Sequence, residues 1–322
     1  MREIRFAIMG AGHIARKFTG AAKQVEGVRV IAASSKDMKR AKAFAEAFDI
    51  EHYGTYEEIL KMPDVDAVYI ATTQNFHKEN VRMCLESGKH VICEKAMFLT
   101  VQDAEEMFAL AREKKLFVME AMWTRFLPNI QKAKQWILNG RIGKIQSAAA
   151  SIGFYCYMGP EHRLINPDLG GGAMYDIGVY AIEVVSYLVG QRIMNASGLV
   201  RKHPVTGVDE RVSMLIDFED VDAVLQCSFA ANVPQYIYIS GSDGYIEIPT
   251  FHVGNESRLY DGNRELTERF IKEFPEGNGF VYEIQAAAQC IRDGRRESDI
   301  IPWADTLECC RVFDAVLKNS GK

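Results

Sequence analysis

The chain has 322 residues, 48% of them apolar and 25% charged, enough for two globular domains that each bury a core. A formal net charge of −5 argues against nucleic acid or an anionic membrane surface as the main partner. The seven cysteines are odd in number and lack a Cys-x-x-Cys spacing, so they read as reduced thiols of a cytoplasmic protein, and no metal is expected.

The chain enters an apolar strand over residues 4–9 without a signal-peptide pattern. Gly10-Ala11-Gly12 follows, then a helix over 14–23 with Ala15 in its first turn. Strand, Gly-x-Gly-x-x-Ala and helix in that order form a dinucleotide fingerprint. Gly10 allows the tight turn and Gly12 the approach of backbone to a pyrophosphate. His13 and Ile14 open a helix whose unpaired amides suit a diphosphate. Strands over 28–34, 66–72, 89–95 and 116–120 then alternate with helices over 38–48, 79–87 and 101–115. Such βαβ units make a doubly wound parallel sheet, here residues 1–122.

Beyond it a helix over 128–139 precedes strands in succession, at 145–154, 196–201, 211–218, 223–230, 235–240, 245–249 and 257–260. Ser242-Asp243-Gly244 marks a hairpin. Residues 123–322 are expected to form an α+β domain with a largely antiparallel open sheet, for substrate binding and oligomerisation. Helices over 176–188 and 280–292 interrupt it. A last helix, about 302–319, opens at Pro302 and is a candidate to pack back on the first domain. No apolar run is expected to reach the roughly 20 residues that span a bilayer.

The second strand ends in Ser34-Ser35-Lys36-Asp37, with Lys39 and Arg40 behind. That end meets the ribose of a bound dinucleotide, about 20 residues past the glycines. Small hydroxyls followed by cations favour the 2′-phosphate of NADP, whereas Asp37 turned inward favours NAD. A solvated cationic helix face is the bland alternative.

Four further segments carry a likeness. They are Thr72-Thr73-Gln74-Asn75-Phe76-His77, the Glu94-Lys95 pair, Met119-Glu120-Ala121-Met122-Trp123-Thr124-Arg125-Phe126, and the glycine-led stretch from Gly170 through Asp176 to Tyr180. With the fingerprint, they resemble the glucose–fructose oxidoreductase/inositol dehydrogenase/MocA-type family over nearly the whole chain. The likeness is strongest to its dimeric dihydrodiol dehydrogenase and NADP-dependent D-xylose 1-dehydrogenase branch. The resemblance implies a homodimer that oxidises a sugar or cyclic diol hydroxyl with NADP, NAD being the alternative. Lys95, Asp176 and Tyr180 match its catalytic positions. Tyr180 would take the hydroxyl proton, with Asp176 four residues earlier on the same helix face. A phenol titrates near about 10, and an ammonium close by favours its ionised form, the service Lys95 would render. Thr72, Asn75, His77, Glu94 and Lys95 match the nicotinamide side. Trp123, Arg125 and Phe126 match the substrate wall, and Arg163 stands within reach of substrate. Taken one by one, each of these residues has an ordinary structural explanation; together and in family order they point to catalysis.

One departure stands out: the family has proline after Glu-Lys, and this chain has Ala96. A cis bond before a non-proline residue costs ~2.5–4 kcal/mol, so a trans peptide is expected there. Two other readings compete, an NAD-dependent inositol or polyol dehydrogenase and a non-catalytic nucleotide-binding regulator of the same fold.

Overall fold

The computed structural model describes residues 2–318. The chain divides into two compact units, one of residues up to Phe98 with Gln102–Trp123 and Pro275–Thr306, the other of Leu99–Val101, Thr124–Phe274 and the residues from Leu307 on.

The first unit is built on a six-stranded parallel sheet of β1 (Ile4–Met9), β2 (Val28–Ser34), β3 (His52–Gly54), β4 (Ala67–Ile70), β5 (His90–Glu94) and β6 (Val118–Ala121). Its order is β3-β2-β1-β4-β5-β6, so the chain direction across the sheet reverses between β1 and β4. Ligands of open α/β sheets bind at such a switch point, beyond the carboxyl ends of the strands. Met9 pairs with both Ser34 and Ile70, which brings the ends of β1, β2 and β4 level. The helices here are α1 (His13–Ala22), α2 (Met38–Phe48), α3 (Tyr56–Leu60), α4 (His77–Glu86) and α5 (Val101–Lys114). The sequence reading passes over β3 and α3. They are three and five residues long, too short to show a period, although Thr55 and Glu58 form a capping box at α3.

The segment Pro275–Thr306 groups with this sheet although it lies far along the chain. Its helix α8 (Phe280–Arg292) ends with Arg292 donating from Nε to the carbonyl of Arg2 at 2.9 Å and from Nη2 to that of Gly27 at 2.8 Å. Helix α9 (Trp303–Lys318) begins with Trp303, whose Nε1 donates to the carbonyl of Val118 at 2.9 Å. The helix end expected near residue 319 lies outside the described residues.

The second unit holds α6 (Pro128–Leu138), then β7 (Ile145–Gly153), α7 (Val179–Val189) and β8 (Ile193–Lys202). Next come β9 (Asp209–Phe218), β10 (Asp222–Ser228), β11 (Tyr236–Gly241), β12 (Gly244–Pro249), β13 (Glu256–Asp261) and β14 (Leu266–Ile271). The eight strands run β14-β13-β12-β11-β7-β10-β9-β8. β7 and β10 pair in parallel and the other neighbours pair antiparallel. Burial alternates along β9 and β10, as a sheet with one covered and one open face requires. Leu199, Leu215 and Val224 lie exposed on the open face. β14 is missing from the sequence reading because Leu266-Thr267-Glu268-Arg269-Phe270-Ile271 has no buried side and so no apolar alternation.

Two expectations are corrected here. The helix expected from 176 begins earlier, as a wider π-type turn over Met174–Gly178 that runs into α7. The stretch Pro167–Val189 is long and apolar enough to cross a membrane, with mean hydropathy 1.3, yet 72% of that window is buried in the fold as a core helix.

Candidate active site

In the first unit, Gly10 has φ 101°, and a Cβ there would lie 2.8 Å from the carbonyl oxygen of Ala71. Only glycine suits that turn. Gly10→Ala is expected to destabilise the unit by on the order of 1–3 kcal/mol, read as a lower urea midpoint. Gly12 differs, since a Cβ there would come no nearer than 3.9 Å to Ala71. Its bareness serves whatever lies outside. No side chain caps α1 at Gly12 and its first turn carries no carboxylate, so the amides around His13 and Ile14 open the helix without an internal anion. Such an end fits a pyrophosphate.

At the end of β2, Ser34 is buried and its hydroxyl donates to the carbonyl of Ile8 at 2.9 Å, which ties the two strands. The Ser35 hydroxyl accepts from the amide of Asp37 at 3.2 Å. The Asp37 carboxylate in turn accepts from the amides of Lys39 at 2.9 Å and Arg40 at 3.4 Å. It is the N-cap of α2. The Lys36 ammonium lies 3.7 Å above the Phe76 ring, a cation–π contact at the strand end.

Around Lys95 the groups are tightly tied. Glu94 is buried, takes a hydrogen bond from the Tyr69 hydroxyl and accepts from the Lys95 amide at 3.3 Å. Tyr69 stacks on Phe18, and burial pushes its phenol well above the ordinary range. The Lys95–Ala96 peptide is cis, which corrects the expected trans bond. The residues after it are fixed on both sides. The Met97 amide donates to Glu120 at 3.0 Å, and the other oxygen of Glu120 accepts from Thr306 at 2.7 Å. Nδ1 of His77 meets the carbonyls of Ala96 at 3.0 Å and Met97 at 3.2 Å, while Nε2 meets that of Thr72 at 3.1 Å. His77 is 1% exposed, and burial lowers its pKa. Its ring joins the Thr72 loop to the Lys95 loop. The Thr72 hydroxyl accepts from Asn80 at 2.9 Å, and Asn75 accepts from the Thr73 hydroxyl at 2.7 Å. Trp123 stacks on Phe280, centroids 5.0 Å apart, and is almost wholly buried.

In the second unit, Asp176 sits in the π-type turn with its side chain 13% exposed and pairs with the half-exposed Arg163 guanidinium at 3.0 Å. Tyr180 follows in the first turn of α7, its ring 5.9 Å from the imidazole of His252. His252 has no signature in its local sequence; only the fold brings it beside Tyr180. Arg125 is fully buried, its guanidinium 2.6 Å from Glu183 on α7, and Nε donates to the Glu183 carbonyl at 2.9 Å. Phe126 is 4% exposed. The sequence therefore brings Arg163, Asp176 and Tyr180 into one short segment, while Arg125 is committed to the helix that carries Tyr180.

Comparison with known proteins gives the family. Residues 4–122 match the model of the oxidoreductase family with an NAD-binding Rossmann fold, and residues 130–247 match the GFO/IDH/MocA C-terminal domain. The mouse trans-1,2-dihydrobenzene-1,2-diol dehydrogenase is 32% identical over 326 residues, covering 99% of this chain and 97% of the relative. Among solved structures, the aldose-aldose oxidoreductase of Caulobacter crescentus, complexed with glycerol, superposes with a TM-score of 0.90 at 25% identity over 99% of this chain and 98% of that one. KijD10, a 3-ketoreductase of Actinomadura kijaniata solved with NADP and TDP-benzene, gives 0.86 at 28% identity over 98% of each chain. The protein belongs to the GFO/IDH/MocA oxidoreductase family. It is an oxidoreductase with a nicotinamide-binding Rossmann unit.

Proposed function

We propose that the protein is an NADP-dependent dehydrogenase that oxidises a hydroxyl of a sugar or cyclic diol. One observation carries the cofactor choice: Asp37, the carboxylate that would hold a free ribose hydroxyl, is turned to the start of α2, where its Oδ1 accepts from the Lys39 and Arg40 amides. Lys36 and Arg40 remain as the cations of that strand end, suited to a 2′-phosphate. The pyrophosphate would lie on the amides of α1, and Thr72, Asn75, His77 and Glu94 would form or support the nicotinamide side. A bound nicotinamide supplies the hydride acceptor. Tyr180 takes the hydroxyl proton as the C–H bond gives up its hydride, Lys95 favours the phenolate, and Asp176 with Arg163 orients the substrate hydroxyl. Trp123 and Phe126 contribute to the apolar wall.

The relatives' diol and sugar substrates, and the open sheet face with Leu199, Leu215 and Val224, support a small polyhydroxy substrate and a homodimer. All seven cysteines are free thiols, which supports a reducing, cytoplasmic setting.

The test is a fluorescence titration with NADPH and NADH, followed by turnover assays with D-xylose, D-glucose, inositol and a trans-dihydrodiol. NADPH should bind more tightly, and a pentose or the diol should be oxidised. Lys36→Ala should weaken NADPH by about 10–100-fold, the worth of one charged hydrogen bond, and leave NADH almost unchanged. Preference for NADH would move the chain to the NAD-dependent polyol reading, and binding without turnover on any substrate to the regulator reading.

A further inference from the structure

Asp209 opens β9 and is 7% exposed. One of its oxygens accepts from the amide of Met174 at 2.6 Å, across 35 residues of chain. It is seated there because residue 172 is glycine. Gly172 has φ 138°, and a Cβ on it would lie 2.2 Å from the Asp209 carboxylate. The Met174–Gly178 turn has no side-chain cap from its own N-terminal residue Ala173, so Asp209 does that work from another strand. At the other end of the same turn, a Cβ at Gly178 would lie 3.0 Å from the sulfur of Cys227 on β10. The turn thus lies close against two neighbouring strands of the sheet at two glycines.

We propose that Asp209 is a positioning residue: its carboxylate, seated in the gap left by Gly172, caps the Met174–Gly178 turn and fixes the segment that presents Asp176 and Tyr180. This rests on the reading of Asp176 and Tyr180 given above. The cap has a titration of its own. Burial raises the Asp209 carboxyl to about 7, the Met174 amide holding it down only in part. Cys227 and Tyr175 beside it stay neutral in that range. Burial pushes the Cys227 thiol well up, and it pushes the Tyr175 phenol up to about 12. Behind Tyr175 lie Cys310 and Asp314 of α9, and Asp176 with its partner Arg163 follows in the turn.

The folded chain holds the proton more firmly than the unfolded chain, so Asp209 contributes stability at low pH that is lost as pH rises through about 7. Locally the same sign holds, because opening the turn returns the carboxylate to water, where it ionises more readily than in its buried seat. The turn is therefore most ordered below the titration and loosens above it.

The test measures the wild-type protein between about pH 5.5 and about pH 8.5 by two readouts. The first is hydrogen exchange of the 172–178 amides, corrected for intrinsic rates. The second is kcat/KM. Protection and kcat/KM should fall together as pH rises, with a midpoint within a unit of neutrality, kcat/KM by about 10-fold or more, as misplacement of reacting groups implies. Asp209→Asn should flatten both profiles. A wild-type protein with no step in amide protection, or an Asp209→Asn profile that keeps the step, overturns the proposal. If the variant does not fold, carbon-13 NMR of aspartate-labelled wild type decides. One carboxyl carbon titrating near neutrality in step with the amides supports the cap, and all of them titrating below about 5 removes it. Amide protection does not depend on turnover, so a chain that shows the step but oxidises no substrate rejects the enzyme reading and leaves the cap standing.

Discussion

Replacing Tyr180 with Phe is expected to lower kcat by about 10²–10⁴-fold, the usual worth of a positioned general acid or base. The change removes one hydroxyl and keeps the ring beside His252 at the start of α7, so packing in the second unit is conserved. Binding of reduced nicotinamide, whose phosphate and ribose groups belong to the first unit, should be nearly unchanged in the same titration. Lys95→Met should cost a similar factor, and the double variant little more than the worse single one. Groups that act on one proton fail as a unit. Additive losses would mean that Lys95 acts on something other than the tyrosine. Unchanged turnover in Tyr180→Phe would sink the assignment and leave a nucleotide-binding protein whose chemistry lies elsewhere.

Features that depend on local backbone demand are legible in the sequence. Gly10 must be glycine because the turn after β1 has a positive φ and passes against Ala71, and the motif records that need directly. The alternation of strands and helices through residue 121 likewise follows from short-range periodicity. The partners that hold the second unit's active segment are of another kind. Asp209 reaches Met174 across 35 residues, and Arg125 reaches Glu183 across 58. Neither pairing has a local pattern. Arg125 beside Trp123 and Phe126 reads as a substrate residue when the only information is its neighbours in the chain. The π-type turn is hidden for a related reason, since the segment from Ala173 to Val189 is so nearly apolar that no period marks the extra residue. The bond after Lys95 shows the same limit. Its geometry goes with contacts from His77 and Glu120, both distant in sequence, which a reading of Ala96 alone cannot include.

The buried pair of Arg125 and Glu183 gives the largest stability effect expected in this protein. Arg125→Met should destabilise the second unit by about 3–5 kcal/mol, measured as a loss in the urea midpoint followed by circular dichroism. Both side chains are sealed from water, at 0% and 1% exposure, so removing the guanidinium leaves a carboxylate in apolar surroundings with its main cation gone. The loss is larger than the packing change alone, because methionine retains most of the aliphatic stem. Arg125→Met combined with Glu183→Leu should recover most of the stability, since two apolar side chains avoid the cost of dehydrating two charges. The effect reaches chemistry through α7. Glu183 lies one turn after Tyr180, and near the other end of the helix Lys134 donates to the carbonyl of Tyr187 at 2.6 Å and that of Leu188 at 3.1 Å. The single variant loosens the first of these anchors, so its kcat should fall as the unit approaches its lowered midpoint. A variant that keeps its urea midpoint but shows a raised KM would reverse this conclusion and return Arg125 to the substrate wall.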